Sequence, residues 1–412
     1  MSQPINSSRL FNASCFALIT TAFSFSIRAG ILSQLGTEFN LTAAQLGLIN
    51  SMAFLGMPLS MVVGGLVYHT VGPKIIMQVA FLCHAIGIIM TIYAGGYAGL
   101  LISTFFIGIG NGCTEAACNP MIADAYTGLK MNKMLNRFHM WFPGGIVVGS
   151  LISKFMTDAG LGWEAQIWVI MIPTIIYAFL FWGQAFPKSH IDGVSSIGEN
   201  VKAMFTPLFL FIFFCMAFTA ISEFGPQQWT GMIMSKSGAS PMLILALVTG
   251  LMAVMRFFAA PVVKLLGDTG ILWTASILTA IGIYMFSTVT GPMAYFAAVI
   301  FAFGVGLFWP TMVGFIAQHV PLSGALGMSI IGGVGMLSTA IFQPIIGGWI
   351  DSDTAEAAAK GLTGDELALA AGQATLSTMI AFPAILVVAF GILFFWMKNR
   401  KPVAAASTVG VH

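Results

Sequence analysis

Residues 187–206, Pro-Lys-Ser-His-Ile-Asp-Gly-Val-Ser-Ser-Ile-Gly-Glu-Asn-Val-Lys-Ala-Met-Phe-Thr, form a polar stretch that divides the chain into two apolar halves. The chain has 412 residues, and each half contains six mostly apolar segments. A helix needs about 20 such residues to cross the hydrocarbon core of a bilayer. The segments are 12–35, 45–68, 75–94, 97–125, 137–157, 166–186, 207–234, 241–265, 271–290, 293–318, 323–350 and 374–397. The pattern predicts an all-α membrane protein with twelve transmembrane helices.

The composition excludes several classes of protein. Hydrophobic residues make up 58% of the chain and charged residues only 7%, whereas a soluble domain carries roughly 25% charged residues. So few charges cannot cover a water-exposed surface, which excludes a soluble enzyme and a disordered chain. A net charge of +2 is too small for binding phosphate backbones, so we expect no nucleic-acid partner. The apolar runs are continuous rather than alternating, which argues against a β-barrel.

The two halves show weak internal similarity. Residues Gly65–Gly72, after the second segment, correspond to Ala260–Gly267, after the eighth. We therefore predict two pseudo-symmetric bundles: an N-terminal six-helix bundle in residues 1–190 and a C-terminal one in 207–412, with a cytoplasmic linker in 191–206 between them. Parallel repeats of six helices place a binding site near the bilayer midplane, between the bundles.

The distribution of lysine and arginine predicts the orientation. With the N-terminus in the cytoplasm, eleven basic residues lie in cytoplasmic segments and three in outer loops. The cytoplasmic set is Arg9, Lys74, Lys130, Lys133, Arg137, Lys188, Lys202, Lys264, Lys398, Arg400 and Lys401, and the outer set is Lys154, Lys236 and Lys360. Because cytoplasmic loops are enriched in these residues, we predict a multi-pass protein of the plasma (inner) membrane with both termini cytoplasmic.

The loop Gly65–Lys74 resembles the gating loop of the major facilitator superfamily, whose pattern is G-x-x-x-D-[RK]-x-G-[RK]-[RK]. Gly65, Gly72 and Lys74 match this pattern, whereas His69 stands at the acidic position. The resemblance extends over essentially the whole chain. It implies two six-helix bundles that transport a solute by alternating access, with Gly65, Gly72 and Lys74 in a gating loop.

A closer resemblance is to the fucose–galactose–glucose:proton symporter family. Glu115-Ala-Ala-Cys-Asn119-Pro120 looks like that family's E-[TA]-x-x-N-P element, and Leu135-Asn136-Arg-Phe-His139 resembles its L-N-x-x-[QH] element. Residues 44–56, which contain Asn50, are also similar. The resemblance implies sugar–proton symport with Asn50, Glu115, Asn119 and His139 near the solute. Arg28-Ala29 stands where the fucose member has Asn-Asp, so one coupling carboxylate is missing.

Glu115 is the first candidate for proton coupling. It lies eleven residues before Tyr126, about 16 Å from the end of its segment and so near mid-membrane. Intramembrane ionisable residues are costly and are generally functional. Asn119 follows one helical turn later and shares a face with Glu115, so the pair could hold neighbouring hydroxyls of a sugar. The structural alternatives are an ion pair with Arg28 or a hydrogen bond to His139 for Glu115, and an interhelical contact for Asn119.

Two arginines are predicted to lie within the membrane. Arg28 lies ten residues before Glu38, about 15 Å deep. A guanidinium stays charged, so it needs a partner. We expect Arg28 to be the counter-ion of Glu115, with a clamp for a substrate carboxylate as the alternative. Arg256 lies eight residues before Lys264, about 12 Å from the C-terminal end of the eighth segment, and could pair with Glu223.

The seventh segment contains a second candidate site, Glu223-Phe-Gly-Pro-Gln227-Gln228-Trp229. Gly225-Pro226 predicts a break in the helix, and broken helices near the midplane often bind solutes. Glu223 is the other candidate for carrying the coupling proton. Gln227, Gln228 and Trp229 suit a pyranose ring, since amides bind hydroxyls and an indole covers an apolar face. A gate hinge with Trp229 as an interfacial anchor is the alternative.

The remaining candidates are His139 and Trp309. His139 could relay a proton or simply form a helix–helix hydrogen bond. Trp309 could stack on the solute or only pack between helices. His84 lacks a supporting motif, and we expect it to be structural.

We predict a secondary active transporter that imports a sugar or sugar-like solute with a proton by alternating access. An organic-anion transporter or exchanger that uses Arg28 and Arg256 is the first alternative, and a membrane sensor that does not transport is the second. Sodium in place of the proton stays open. No nucleophile–base pair, cofactor motif or metal-ligand spacing is present, so we expect a chain that is not an enzyme, uses no cofactor or metal, and works as a monomer in the lipid bilayer.

Overall fold

The computed structural model describes residues 5–126, 134, 135, 137–187 and 197–398, and these are mainly helical. The twelve main helices are α1 (Ser7–Glu38), α2 (Ala43–Tyr68), α3 (Thr70–Ile92), α4 (Tyr97–Ala125), α5 (Trp141–Asp158), α6 (Trp163–Phe181), α7 (Pro207–Ile233), α8 (Pro241–Phe257), α9 (Pro261–Phe286), α10 (Met293–His319), α11 (Leu326–Ala359) and α12 (Gly364–Met397). A short helix, Ile197–Met204, precedes α7. The predicted all-α fold is confirmed. Residues 191–196 of the predicted linker, and Asn136, lie outside the described residues.

Ten of these helices are long and apolar enough to cross a membrane. The other two are α5, which carries Lys154 and Asp158, and the 17-residue α8. The eighth and ninth segments were predicted as 241–265 and 271–290. Helix α8 ends at Phe257 and α9 is already helical at Pro261, but the chain leaves helical geometry again at Gly267, between the two predicted segments.

The internal similarity between the halves has a counterpart in the backbone. Helices α2 and α3 form one helical stretch that leaves helical geometry at Gly72 (φ 77°, ψ 160°). Gly267, the corresponding residue in the C-terminal half, has nearly the same conformation (φ 63°, ψ 171°). Positive φ combined with extended ψ is essentially restricted to glycine. The two glycines are therefore equivalent in structure as well as in sequence.

Helices α1 and α7 run in the same direction, because Phe25 faces Phe224 and Ala29 lies against Gly231. The end of the molecule where α1 begins is called the terminal end, and the end where α2 begins is called the opposite end. The halves are closely packed at the opposite end. There the Asp351 carboxylate of α11 accepts hydrogen bonds of 2.8 Å from the backbone N–H groups of Ala43 and Ala44.

This contact places a carboxylate of one half at the first turn of a helix in the other. Free N–H groups and the helix dipole make the start of a helix favourable for an anion. The backbones also touch: a Cβ at Gly347 of α11 would collide with the carbonyl oxygen of Ala43. Glycine is therefore required for α2 and α11 to close the opposite end.

Helix α7 runs unbroken from Pro207 to Ile233 with Pro226 inside it, so the predicted break at Gly225-Pro226 is wrong. Proline removes one backbone donor, so the carbonyl oxygen of Ser222 loses its usual partner, a loss that a membrane helix tolerates. The Thr230 hydroxyl donates to the carbonyl oxygen of Pro226 at 2.6 Å and adds a hydrogen bond in the following turn.

A buried hydrogen-bond network joins four helices of the N-terminal half. Nδ1 of His84, on α3, lies 2.9 Å from the Tyr177 hydroxyl of α6. Nε2 of the same ring lies 3.0 Å from Oδ1 of Asn111 on α4. Asn111 in turn donates to the Ser24 hydroxyl of α1 at 3.1 Å. Both ring nitrogens of His84 have partners, which agrees with the structural role expected for it.

Candidate functional site between the two halves

An aromatic tier lies where the two halves meet. Phe25 of α1, Phe54 of α2 and Phe224 of α7 contact one another, with ring centroids 5.0, 5.6 and 6.4 Å apart. Phe142 of α5 lies 5.6 Å from Phe25, and Trp309 of α10 lies 6.2 Å from Phe224. These five rings, named the aromatic tier here, link three helices of the first half to two of the second. Trp309, a predicted substrate contact, is thus part of this tier.

A second layer, named the polar tier here, lies one helical turn from the aromatic tier toward the opposite end. Arg28 follows Phe25 by three residues and Gln228 follows Phe224 by four. Helix α2 runs the other way, so Asn50, four residues before Phe54, lies at the same level. Residues three or four apart share one face of a helix. On α11, Ala340 packs in the same cluster as the three phenylalanines, and Gln343 follows it by three residues.

The polar tier is buried and largely unpaired. Arg28, Asn50, Gln228 and Gln343 are only 5%, 0%, 3% and 0% exposed. Seven of their side-chain atoms have no hydrogen-bond partner: Nε and Nη2 of Arg28, Nδ2 and Oδ1 of Asn50, Oε1 of Gln228, and Nε2 and Oε1 of Gln343. Most buried polar groups in folded proteins are hydrogen-bonded, because an unpaired one is costly. Seven such atoms in one layer indicate a place built to contact something else.

Close backbone contacts cover this tier on the side of the opposite end. A Cβ at Gly47, one turn from Asn50, would collide with the carbonyl oxygen of Gln343. A Cβ at Gly231, three residues after Gln228, would likewise collide with the carbonyl oxygen of Ala29. The polar tier is thus enclosed by glycine contacts on one side and by the aromatic tier on the other.

The structure does not bring Arg28 and Glu115 together as an ion pair. The Asn111–Ser24 hydrogen bond sets the relative height of α4 and α1. Arg28 lies four residues from Ser24 toward the opposite end, and Glu115 lies four residues from Asn111 toward the terminal end. At 1.5 Å per residue the two charges differ in height by roughly 12 Å. The guanidinium carbon of Arg28 instead lies over the Phe25 ring, 5.4 Å from its centroid.

Glu115 and Asn119 do interact, as their spacing predicted. Nδ2 of Asn119 donates to Oε2 of Glu115 at 2.6 Å and also to the Glu115 carbonyl oxygen at 3.1 Å. Both side chains are partly exposed. Oδ1 of Asn119 is buried without a partner. This carboxylate–amide pair is therefore separate from the polar tier and lies on its terminal side.

The other charged candidates on α7 and α8 stay apart. Glu223 is buried with Oε2 unpaired, and it makes no ion pair with Arg256 although their charges interact. Arg256 instead donates from Nε to the carbonyl oxygen of Gly306 at 3.0 Å. The amide of Gln227 points into the C-terminal half, toward the Met252 sulfur at 3.8 Å. Trp229 is fully buried with its indole N–H unpaired.

The remaining candidates lie nearer the terminal end. His139 is exposed and its ring packs on Phe138, with centroids 5.0 Å apart. In the predicted gating loop, Gly65 and Lys74 are exposed and Gly72 forms the kink. Within the described ranges, no group of three or more His, Cys, Asp or Glu side chains could hold a metal ion.

Gln343 was missed in the sequence. It lies in the glycine-rich eleventh segment, 323–350. An uncharged amide in an apolar span is a weaker signal than a charge. A search for every amide within the predicted spans would have found it, since polar residues inside membrane spans are rare and functional.

Known proteins resemble this chain along most of its length. The sequence profile of the Major Facilitator Superfamily matches residues 14–342. A candidate niacin/nicotinamide transporter of Bacillus subtilis (strain 168) is 25% identical over 250 residues, covering 58% of this chain and 61% of that protein. The hexuronate transporter of the same strain is 26% identical over 145 residues, covering 35% of this chain and 34% of that protein. The chain thus matches less than two thirds of the length of either relative.

The fold also resembles a solved transporter structure. A bacterial homologue of the human lysosomal transporter Spinster, inward-facing and unoccupied, superposes with a TM-score of 0.76 at 19% identity. The superposition covers 98% of this chain and 100% of that chain. An identity this low shows the fold alone. The family and the relatives are transporters, which confirms that the chain is not an enzyme. The closer resemblance to fucose-type symporters stays a prediction.

Proposed function

The chain belongs to the major facilitator superfamily, and from this membership we propose that it is a secondary transporter that carries a small organic anion across the membrane. Transport would proceed by alternating access, with residues 1–190 and 207–412 moving relative to each other. This was the first alternative to sugar–proton symport in the sequence, and the polar tier favours it.

The unpartnered guanidinium of Arg28 carries this proposal. A permanently charged group buried without a counter-ion is strongly unfavourable. A guanidinium binds a carboxylate through two parallel hydrogen bonds, and Nε with Nη2 is one of the edges that can do so. Those are the two nitrogens of Arg28 that have no partner. A bound carboxylate would supply both acceptors and the missing negative charge.

The names of the two relatives support the same class of solute. Niacin and hexuronate are both carboxylates at neutral pH, although one is an aromatic ring and the other a sugar acid, whereas nicotinamide, the second solute in the first relative's name, is neutral. A carboxylate is a feature that niacin and hexuronate share. Arg28 is suited to recognise that feature.

Uptake into proteoliposomes tests the proposal. Uptake of nicotinate is compared with uptake of nicotinamide, and uptake of glucuronate with uptake of glucose. We expect the uptake of at least one acid to exceed that of its neutral counterpart. Arg28→Gln should reduce uptake of that acid by about 30-fold or more, because a buried charge pair loses one member. Arg256→Gln is the matched control, since Nε of Arg256 is already bonded to Gly306. Preferential uptake of neutral sugars, or acid uptake that Arg28→Gln leaves intact, would contradict the proposal.

Proton-coupled import of a sugar is the second candidate, and the hydrogen-bonded pair Glu115–Asn119 favours it. A coupling carboxylate must lose and regain a proton in each cycle. Glu115→Gln imitates the protonated acid permanently, so exchange of solute should persist while accumulation driven by a pH gradient is lost. Glu223→Gln is the control variant. Accumulation that survives in Glu115→Gln but not in Glu223→Gln would move the coupling site to α7.

We also propose that the protein is a monomer in the plasma (inner) membrane. We infer that its terminal end faces the cytoplasm and that its opposite end faces outward. A cysteine introduced at Gly361, in the connection between α11 and α12, should then react with an impermeant reagent added to intact cells. Reaction only after permeabilisation would reverse the orientation.

A further inference from the structure

We propose that Asn50, Gln228 and Gln343 recognise a second polar group on the transported anion, and that this anion is a flat ring bearing one carboxylate. The inference rests on the proposed function, because Arg28 is taken to hold the carboxylate. The inference also identifies the other side chains that select the solute. It specifies that the solute carries a polar group in addition to its carboxylate.

The three amides belong to the same layer as Arg28 but come from different helices. Arg28 and Asn50 are on α1 and α2 of the first half, whereas Gln228 and Gln343 are on α7 and α11 of the second. Each lies one turn from a member of a single packed cluster, which includes Phe25, Phe54, Phe224 and Ala340. Four helices thus present polar side chains at one level, with the charge on α1 and the amides on the other three.

The amides are not explained as interhelical contacts. Polar residues that join membrane helices do so through hydrogen bonds between helices. Both amide atoms of Asn50 and of Gln343 are buried and unpaired, although the two helices that carry them touch at Gly47. Two amide nitrogens can donate, and the oxygens of Asn50, Gln228 and Gln343 can accept. The set therefore suits a ligand group that forms hydrogen bonds, such as a hydroxyl or a ring nitrogen.

The aromatic tier limits the shape of the solute. Phe25, Phe54 and Phe224 pack edge to face or tilted beneath the polar tier, and none of them is more than 7% exposed. On the other side, Gly47 and Gly231 bring backbones together. A layer closed between rings and backbones has little height, so it favours a flat molecule over a puckered one. An aromatic ring is flat and gains from contact with other rings.

Ligand-induced thermal stabilisation of the purified full-length protein tests the inference. A ligand that binds only the folded protein raises Tm, and at a fixed ligand concentration the rise grows with the logarithm of its affinity. The probes are benzoate, 4-hydroxybenzoate and pyridine-3-carboxylate, which share a flat ring and a carboxylate. Benzoate lacks the second polar group. We expect apparent affinity for at least one of the other two acids to exceed that for benzoate by about tenfold or more, since each well-made hydrogen bond contributes on that scale.

Variants identify the amides that are responsible. Asn50→Leu and Gln343→Leu should each reduce the preference over benzoate by about tenfold, because the second polar group then loses a partner. Gln343→Met serves as a second substitution of similar length if Gln343→Leu does not fold. Gln227→Leu is the matched control, since this neighbouring amide points toward Met252, and the preference should not change.

Three results would overturn the inference: equal affinity of the wild type for all three acids, no binding of any of them, or a preference that survives in both Asn50→Leu and Gln343→Leu. Each leaves the proposed function standing if Arg28→Gln still abolishes uptake of another carboxylate. Conversely, if the proposed function is wrong, these acids should bind equally well to the wild type and to Arg28→Gln. The two failures are therefore distinguishable.

Discussion

Two groups of buried polar side chains in this protein are equally inaccessible but differ in their hydrogen bonding. His84 and Asn111, in the N-terminal half, are 0% exposed, as are Asn50 and Gln343 between the halves. The first pair makes every hydrogen bond that its network needs. The second pair makes none through its four amide atoms. Burial alone therefore does not distinguish these two groups, whereas the number of unpaired atoms does.

The physical reason lies in which helices contribute the partners. The His84 network is confined to α1, α3, α4 and α6, which belong to one half, so its bonds can persist while the halves move. The polar tier draws on both halves. Any bond between Asn50 and Gln343 would have to break whenever α2 and α11 separate. Under the proposed function, atoms left unpaired at this seam are available to the solute in every cycle.

The largest effect on stability is expected from a substitution in the fully hydrogen-bonded network around His84. His84→Phe keeps the ring but removes both nitrogens, so the Tyr177 hydroxyl and the Asn111 oxygen lose their partner. Each buried group left unpaired costs about 1–3 kcal/mol, so the free energy of unfolding should fall by roughly twice that and Tm by several degrees. Thermal unfolding in detergent measures this. An unchanged Tm would mean that the network does not stabilise the half that contains it.

Substitution in the polar tier is expected to change stability in the opposite direction. Arg28→Met removes an unpaired buried charge and retains most of the side-chain volume. Buried ionic groups replaced by apolar ones often leave a protein unchanged or more stable, by up to about 1–4 kcal/mol. Tm of the ligand-free protein should therefore stay the same or rise, while acid uptake is lost. A marked fall in Tm would show that Arg28 has a structural partner in the folded state.

The smallest effect is expected at the opposite end, where Asp351 joins the halves. Asp351→Asn loses the charge that favours the first turn of α2, a contribution of about 0.3–1 kcal/mol up to roughly 2 kcal/mol. Labelling of a cysteine introduced in place of Ala43, which is buried at the closed seam, should therefore increase by a few fold as the seam opens more often. Asp353→Asn is the matched control, because Asp353 accepts a hydrogen bond from Thr375 within its own half, at 2.7 Å. Equal labelling in the two variants would deny Asp351 a role in closing the seam.

Much of this molecule follows from its sequence. A segment of about 20 apolar residues must be helical in a bilayer, because no water is present to satisfy its backbone, so the all-α fold was predictable. Local spacing was equally reliable. Glu115 and Asn119, four residues apart, are hydrogen-bonded, and Gly72 and Gly267, matched by the internal repeat, share one backbone conformation.

The arrangement of side chains on different helices could not be predicted in this way. Arg28 and Glu115 were each expected near mid-membrane, but depth estimated from a helix end is too coarse to pair two residues. Packing around the Ser24–Asn111 hydrogen bond sets the register of α1 against α4 and separates the charges by roughly 12 Å. The unbroken α7 was likewise not predictable, because a proline within a membrane span can either break the helix or be tolerated.

The polar tier shows the same division between sequence and tertiary structure. Arg28 and Gln228 were identified as polar residues within predicted spans, and Asn50 through the resemblance of residues 44–56 to the fucose-type symporters. Their common level, and the addition of Gln343, depend on how α1, α2, α7 and α11 pack around the aromatic tier. The sequence determines which residues lie within the membrane through the cost of burying them. Only the tertiary structure decides which of them meet, because helix register is set by side-chain packing between segments far apart in the chain.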